Sequence, residues 1–84
     1  PPEATFSYDV PTPAFADAQV YVVDETQGQG VVTTANPDGT VTQTRPFTAQ
    51  AQDRVVVTFV TADDTVARCV ILRAGTLGPN DVCP

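Results

Sequence analysis

Hydrophobic positions along this chain recur at every second residue, and the alternation is broken at proline and glycine corners. In Gln19 to Asp24, QVYVVD, Val20 and Val22 point to one side and Tyr21 and Val23 to the other. Arg54 to Thr61, RVVVTFVT, carries Val55, Val57 and Phe59 on one face and is the strongest strand in the chain. A period of two is the signature of β-strands. Phe6, Tyr8 and Val10 share one face of a strand within Pro1 to Val10. Gly30 to Ala35, Thr40 to Thr44, Pro46 to Ala51 and Thr65 to Arg73 complete a set of about seven short strands. No window repeats apolar residues at helical spacing for three turns. The predicted fold is all-β, a small sandwich of antiparallel strands in a single domain over residues 1–84.

The centre of the pattern is Gly30 to Val60. Within it, Asn36-Pro37-Asp38-Gly39 has the residues of a type I turn: Asn36 caps it, Pro37 pre-sets φ, Asp38 tolerates the third place and Gly39 takes positive φ. Val and Thr runs flank the turn, so it is expected to close a hairpin between Gly30–Ala35 and Thr40–Thr44, with a bulge at Gly39 and the three Thr of the second run facing out. Pro11 to Asp17 is a loop, because two prolines remove ladder donors, and Phe15 is positioned to plug one end of the core. Ala74 to Pro84 reads as an irregular tail.

Composition agrees with the pattern. Fourteen Val and thirteen Thr stand against two Leu and no Met, and β-branched side chains suit a pleated sheet. A net charge of −6 with no Lys repels phosphate, which argues against nucleic acid and anionic membrane surfaces as partners. No apolar run is long enough to insert into a bilayer. The sequence opens on Pro1 without a leader, which reads as a mature or excised fragment. Cys69 and Cys83 suggest one disulfide formed in an oxidising compartment, and hence an extracellular or cell-surface protein; two buried free thiols are the alternative. The bond would staple the tail through a loop of 15 residues and stabilise the fold by roughly 3 kcal/mol.

The residues Val20, Val22 and Asp24, then Thr34, Asp38 and Gly39, then Phe47, Ala49, Ala51, Asp53, Val55, Val57 and Phe59 resemble bacterial immunoglobulin-like and carboxypeptidase-regulatory-like modules. In those families a strand precedes a T-x-x-D-G hairpin, and an A-x-x-G-D turn leads into an alternating strand. The resemblance runs from Ala18 to Leu72. It departs at Gln52, where glycine is common, and at the cysteine-bearing tail. It implies a sandwich used in surface proteins for spacing, display or adhesion.

Catalytic chemistry is not indicated. There is no His, and Ser7 is the only serine, so a nucleophile lacks its usual activators. The neighbouring acids Asp24-Glu25 and Asp63-Asp64 read as solvated turn formers. Calcium held by Asp24, Glu25 and Asp38, or by Asp63 and Asp64, is the alternative, without a DxDxDG spacing to support it. No cofactor and no metal ligand set is assigned; zinc lacks any His or second Cys pair. An isopeptide bond is excluded by the missing Lys. With no Trp, Tyr21 and Tyr8 are the candidate ligand contacts for carbohydrate or protein, against packing roles for both. The expected function is a non-enzymatic structural or adhesion module whose partners are other protein domains or identical subunits. The alternatives are a filament subunit that pairs edge strands or donates its N-terminal strand, and a small binding module.

Overall fold

The computed structural model describes residues 2–72 and 81–83. Its elements are β1 (Glu3–Ala4), a 3-10 turn (Pro13–Phe15), β2 (Gln19–Asp24), β3 (Gln29–Thr34), β4 (Phe47–Thr48), β5 (Arg54–Val60), β6 (Thr65–Ile71) and β7 (Asp81–Val82). They form two antiparallel sheets. One has five strands in the order β3-β2-β5-β6-β7; the other pairs β1 with β4.

The larger sheet follows directly from the alternation. Along β2 every second residue is buried, and β5 repeats the pattern. Register sets Val22 beside Val31 on one side and Val57 on the other, and Val20 beside Phe59. These side chains enter one apolar cluster with Ala18, Ala35, Val41, Phe47, Ala49 and Val55, so both sheets contribute to a common core. Each fully buried Val or Phe contributes on the order of 1.5–3 kcal/mol from desolvation alone. Phe15 plugs one end of that core as expected. Its ring stacks on Phe59 with centroids 4.1 Å apart, and Tyr8 meets Phe59 edge-on at 5.9 Å. Thr12–Asp17 thus packs through the two ring contacts of Phe15, with Phe59 and Tyr8, rather than as a bare connection.

The turn at Asn36–Gly39 forms. Gly39 N–H donates to Asn36 O at 2.8 Å, and Gly39 has φ 84°. Asp38 Oδ1 accepts from the Thr40 N–H at 3.0 Å and from its hydroxyl at 2.6 Å. The hairpin expected around it does not extend. After Asn36 N–H reaches Thr40 O, the chain leaves β3, and Val41 pairs with Tyr8 instead. β3 takes β2 as its partner through the tight Glu25–Gly28 connection. Residues 41–44 satisfy their backbone against the N-terminal segment: Thr44 N–H donates to Phe6 O, and Thr44 Oγ1 accepts from Phe6 N–H. Thr44 is therefore buried rather than outward. Val10, expected on the inner face, is 60 % exposed, because the N-terminal segment leaves the core after Tyr8. Seven strands are present among the described residues, but their membership differs: Thr40–Thr44 is not one of them, and Asp81–Val82 is. The rest of the predicted irregular tail, residues 74–80 and 84, lies outside the described residues.

Cys69 and Cys83 are joined, with their Cα atoms 5.4 Å apart, and Cys83 N–H donates to Cys69 O. The bond holds β7 against β6. A disulfide is consistent with an oxidising compartment.

Candidate functional site

Antiparallel pairing gives the five-stranded sheet two ends with different chemistry. Gln19, Thr34, Val60 and Thr65 lie at one end, where the Asn36–Gly39 and Thr61–Asp64 turns project. Asp24, Gln29, Arg54 and Ile71 lie at the other, with the Glu25–Gly28 and Gln50–Asp53 turns. Asp38 is therefore separated from Asp24 and Glu25 by the length of β3, about 20 Å for six residues. The three do not assemble as a calcium site, and no group of three or more potential metal ligands occurs among the described residues. Asp63 and Asp64 are exposed turn residues; the Thr61 hydroxyl accepts both their N–H groups.

Asp24 is not the solvated turn residue its sequence position suggested. It is completely buried, and Asp53 is 3 % exposed. Asp24 falls in phase with Val20 and Val22, so the strand itself carries its side chain inward. Its Oδ1 accepts the Gln27 N–H at 2.8 Å. Asp53 Oδ2 accepts the Gln27 side-chain amide at 3.1 Å and the Gln50 N–H at 3.0 Å. Gln27 joins the two acids, giving its N–H to Asp24 and its side-chain amide to Asp53. Burial, reinforced by Asp53, pushes the Asp24 carboxyl above its ordinary range. Asp53 is held below its ordinary range, first by the hydrogen bond from Asp24, with Gln50 and Gln27 adding to it and burial opposing. At the other end, Asp38 is also lowered, chiefly by the Thr40 hydroxyl and then by its N–H. Glu25 and Arg54 form an ion pair at 2.9 Å with both side chains half exposed, so it contributes little.

Gln52 adopts φ 75°, a left-handed conformation that favours glycine. Its N–H donates to Leu72 O and Leu72 N–H to Asp53 O, which ties the Gln50–Asp53 turn to the end of β6.

The two tyrosines are on opposite faces. Tyr8 packs against Phe15 and Phe59, and its hydroxyl meets Thr12 Oγ1 at 3.0 Å. Tyr21 lies on the outer face of the sheet and is 41 % exposed. Val32 is its cross-strand neighbour in β3, and Val23 follows two residues along; both are exposed. The two rings cannot form one platform, and the strip Tyr21–Val23–Val32 is the apolar surface the sheet turns to solvent. Beside it, a shallow groove of about 240 Å³ is lined by Val31, Val32, Thr33, Gln43, Thr44 and Arg45 along the outer edge of β3. No helix among the described residues is long and apolar enough to cross a membrane.

No family model, no curated protein and no solved structure matches this chain.

Proposed function

We propose that the chain is a non-enzymatic, immunoglobulin-like sandwich module that serves a structural or adhesive role in a secreted or cell-surface bacterial protein. The observation that carries this reading is the strip of Tyr21, Val23 and Val32, apolar and exposed on a rigid sheet. Its backbone is fixed by ladders on both sides of β2, so a partner docking there orders few new groups. The partner is another protein domain or an identical subunit; an aromatic at the centre of the strip also suits a sugar ring. The disulfide agrees with an oxidising setting outside the cell.

Beads coated with the chain test this reading. Wild-type beads are expected to cluster or to hold intact cells, and Tyr21→Ser with Val32→Lys to abolish this without changing the melting temperature. Equal behaviour of wild type and variant overturns the reading.

A second reading, a filament subunit, is favoured by the position of β3. It closes the sheet on one side, and a groove of about 240 Å³ runs beside its edge, where an added strand would pair. The N-terminal segment pairs within its own chain, through β1 with β4 and Tyr8 with Val41, so this reading rests on the β3 edge. Polymers whose size grows with concentration and vanishes on Val32→Pro support it.

A further inference from the structure

Asp24 and Asp53 are the buried carboxyls among the described residues, and the proposed role uses neither. Removing one carboxylate from water is costly, and two side by side repel each other besides. Three hydrogen bonds reach these carboxyls, from the Gln27 N–H, the Gln27 side-chain amide and the Gln50 N–H. All three go to Asp24 Oδ1 or Asp53 Oδ2. Asp24 Oδ2 is buried and meets no donor. Gln27, bonded to both acids, brings the Asp53 carboxyl to the same buried corner, and a carboxylate in its ionised form can only accept. A proton on Oδ2 turns that atom into a donor and makes its neighbour a proper partner.

Among the described residues, other charges do not offer a substitute. In the register, Asp24 lies between Gln29 of β3 and Val55 of β5, neither of them ionisable. On the adjoining turn and on β5, Glu25 and Arg54 pair with each other at the half-exposed rim. Leu72, bonded to Asp53 O at the end of β6, is apolar. A cation is also a poor fit, because the polar groups around the two carboxyls present N–H hydrogens rather than oxygen ligands.

We propose that Asp24 and Asp53 hold a single proton between them as a latch, and that its release loosens the corner where the Glu25–Gly28 and Gln50–Asp53 turns meet. When it is released, the Oδ2–H bond of Asp24 breaks, the proton passes to water, and two carboxylates are left facing each other in a dry site. Gln27 bridges both turns, so it is the first contact to yield. The Gln50–Asp53 turn is bonded to Leu72, so the loosening reaches the end of β6.

The sign follows from linkage. Asp24, raised in the fold, contributes stability that is complete below the ordinary Asp range and is lost as pH rises through its raised value. Asp53, lowered in the fold, contributes stability above the ordinary range that is lost as pH falls through its lowered value. The latch is closed between those two values and opens on the alkaline side.

Urea midpoints of the full, disulfide-bonded chain, taken from mild acid to mild alkali, test the latch in wild type and Asp24→Asn. The wild-type folding constant is expected to fall by up to about tenfold per pH unit through the Asp24 titration. The D24N profile is expected to be level there, because a carboxamide N–H donates to Asp53 at every pH. Parallel profiles, or a level wild type, overturn the proposal. Carboxyl-carbon NMR of the native wild type decides the matter even if the variant fails to fold. One carboxyl of the pair titrating above the ordinary range and the other below it supports the latch, and two ordinary titrations refute it. Neither readout depends on adhesion, so the latch and the adhesive strip stand or fall separately.

Discussion

The two ends of the five-stranded sheet organise their turns with the same residue and shift its carboxyl in opposite directions. At one end Asp38 is exposed, and the Thr40 N–H and hydroxyl hold it ionised. At the other, Asp24 serves its turn in the same way, through the Gln27 N–H, but lies out of water, and the same glutamine holds a second buried carboxyl, Asp53. The local motif is alike: an Asp oxygen accepts a backbone N–H two or three residues on. Burial and the neighbouring carboxyl decide what the group does beyond that. An Asp in a turn is therefore a brace that weakens only in acid in one setting and, in the latch proposed above, a proton store in another.

Three changes probe the contrast. The largest effect is expected at the Asn36 end. Gly39→Ala places a Cβ against the Thr12 backbone carbonyl, within bonding range of its oxygen, at a residue whose φ is already positive. The loop must withdraw, and the Thr12 N–H to Asp38 O bond goes with it. A loss of roughly 4 kcal/mol is expected from strain and the broken contact together, read as a drop in the urea midpoint. A loss under about 1 kcal/mol would mean that Thr12 yields freely.

Reduction of Cys69–Cys83 comes next, and it acts on the other end. The chain-entropy model gives about 3 kcal/mol, and a melting temperature lower by roughly 10 °C or more. Because β6 ends at the Gln50–Asp53 turn, amide exchange at Gln52 and Leu72 should quicken before that at Gly39. Equal melting with and without reductant removes any stabilising role for the bond.

The smallest effect is Asp38→Asn, and its value is in the sign. Asp38, lowered in the fold, contributes stability above the ordinary Asp range that is lost as pH falls through its lowered value. In the D38N chain that acid-side loss is expected to flatten, while the alkaline-side loss assigned to Asp24 remains. The side chain is exposed, so solvent and salt screen the effect. Urea midpoints in acid at low and high salt would measure it.

Much of this was legible in the residues. Gln19–Asp24 was read to the residue, and Arg54–Thr61 and Thr65–Arg73 were read to within two, because alternation against a buried face is a local signal. The NPDG turn and the disulfide were also legible. Thr40–Thr44 misled. Its composition suits a strand, but composition does not say which strand it joins, and its partners, Phe6 and Tyr8, lie more than thirty residues away. The Asp24–Asp53 pair was half visible. Val20, Val22 and Asp24 share one phase, so an acid in the inward register was there to be noticed. Residue type argued instead for a solvated turn, since isolated acids are rarely buried.

Local order thus came from the chain's own grammar: β-branched runs stiffen into strands, prolines and glycines break them, and period two divides inside from outside. What required the tertiary structure was every matter of company. It decided that β3 joins β2 instead of residues 40–44, that Tyr8 and Tyr21 face opposite ways, and that two aspartates 29 positions apart are buried around one glutamine. The reason is physical. Strand propensity and turn closure depend on neighbours along the chain, whereas desolvation and proton sharing depend on neighbours in space, which only the completed packing supplies.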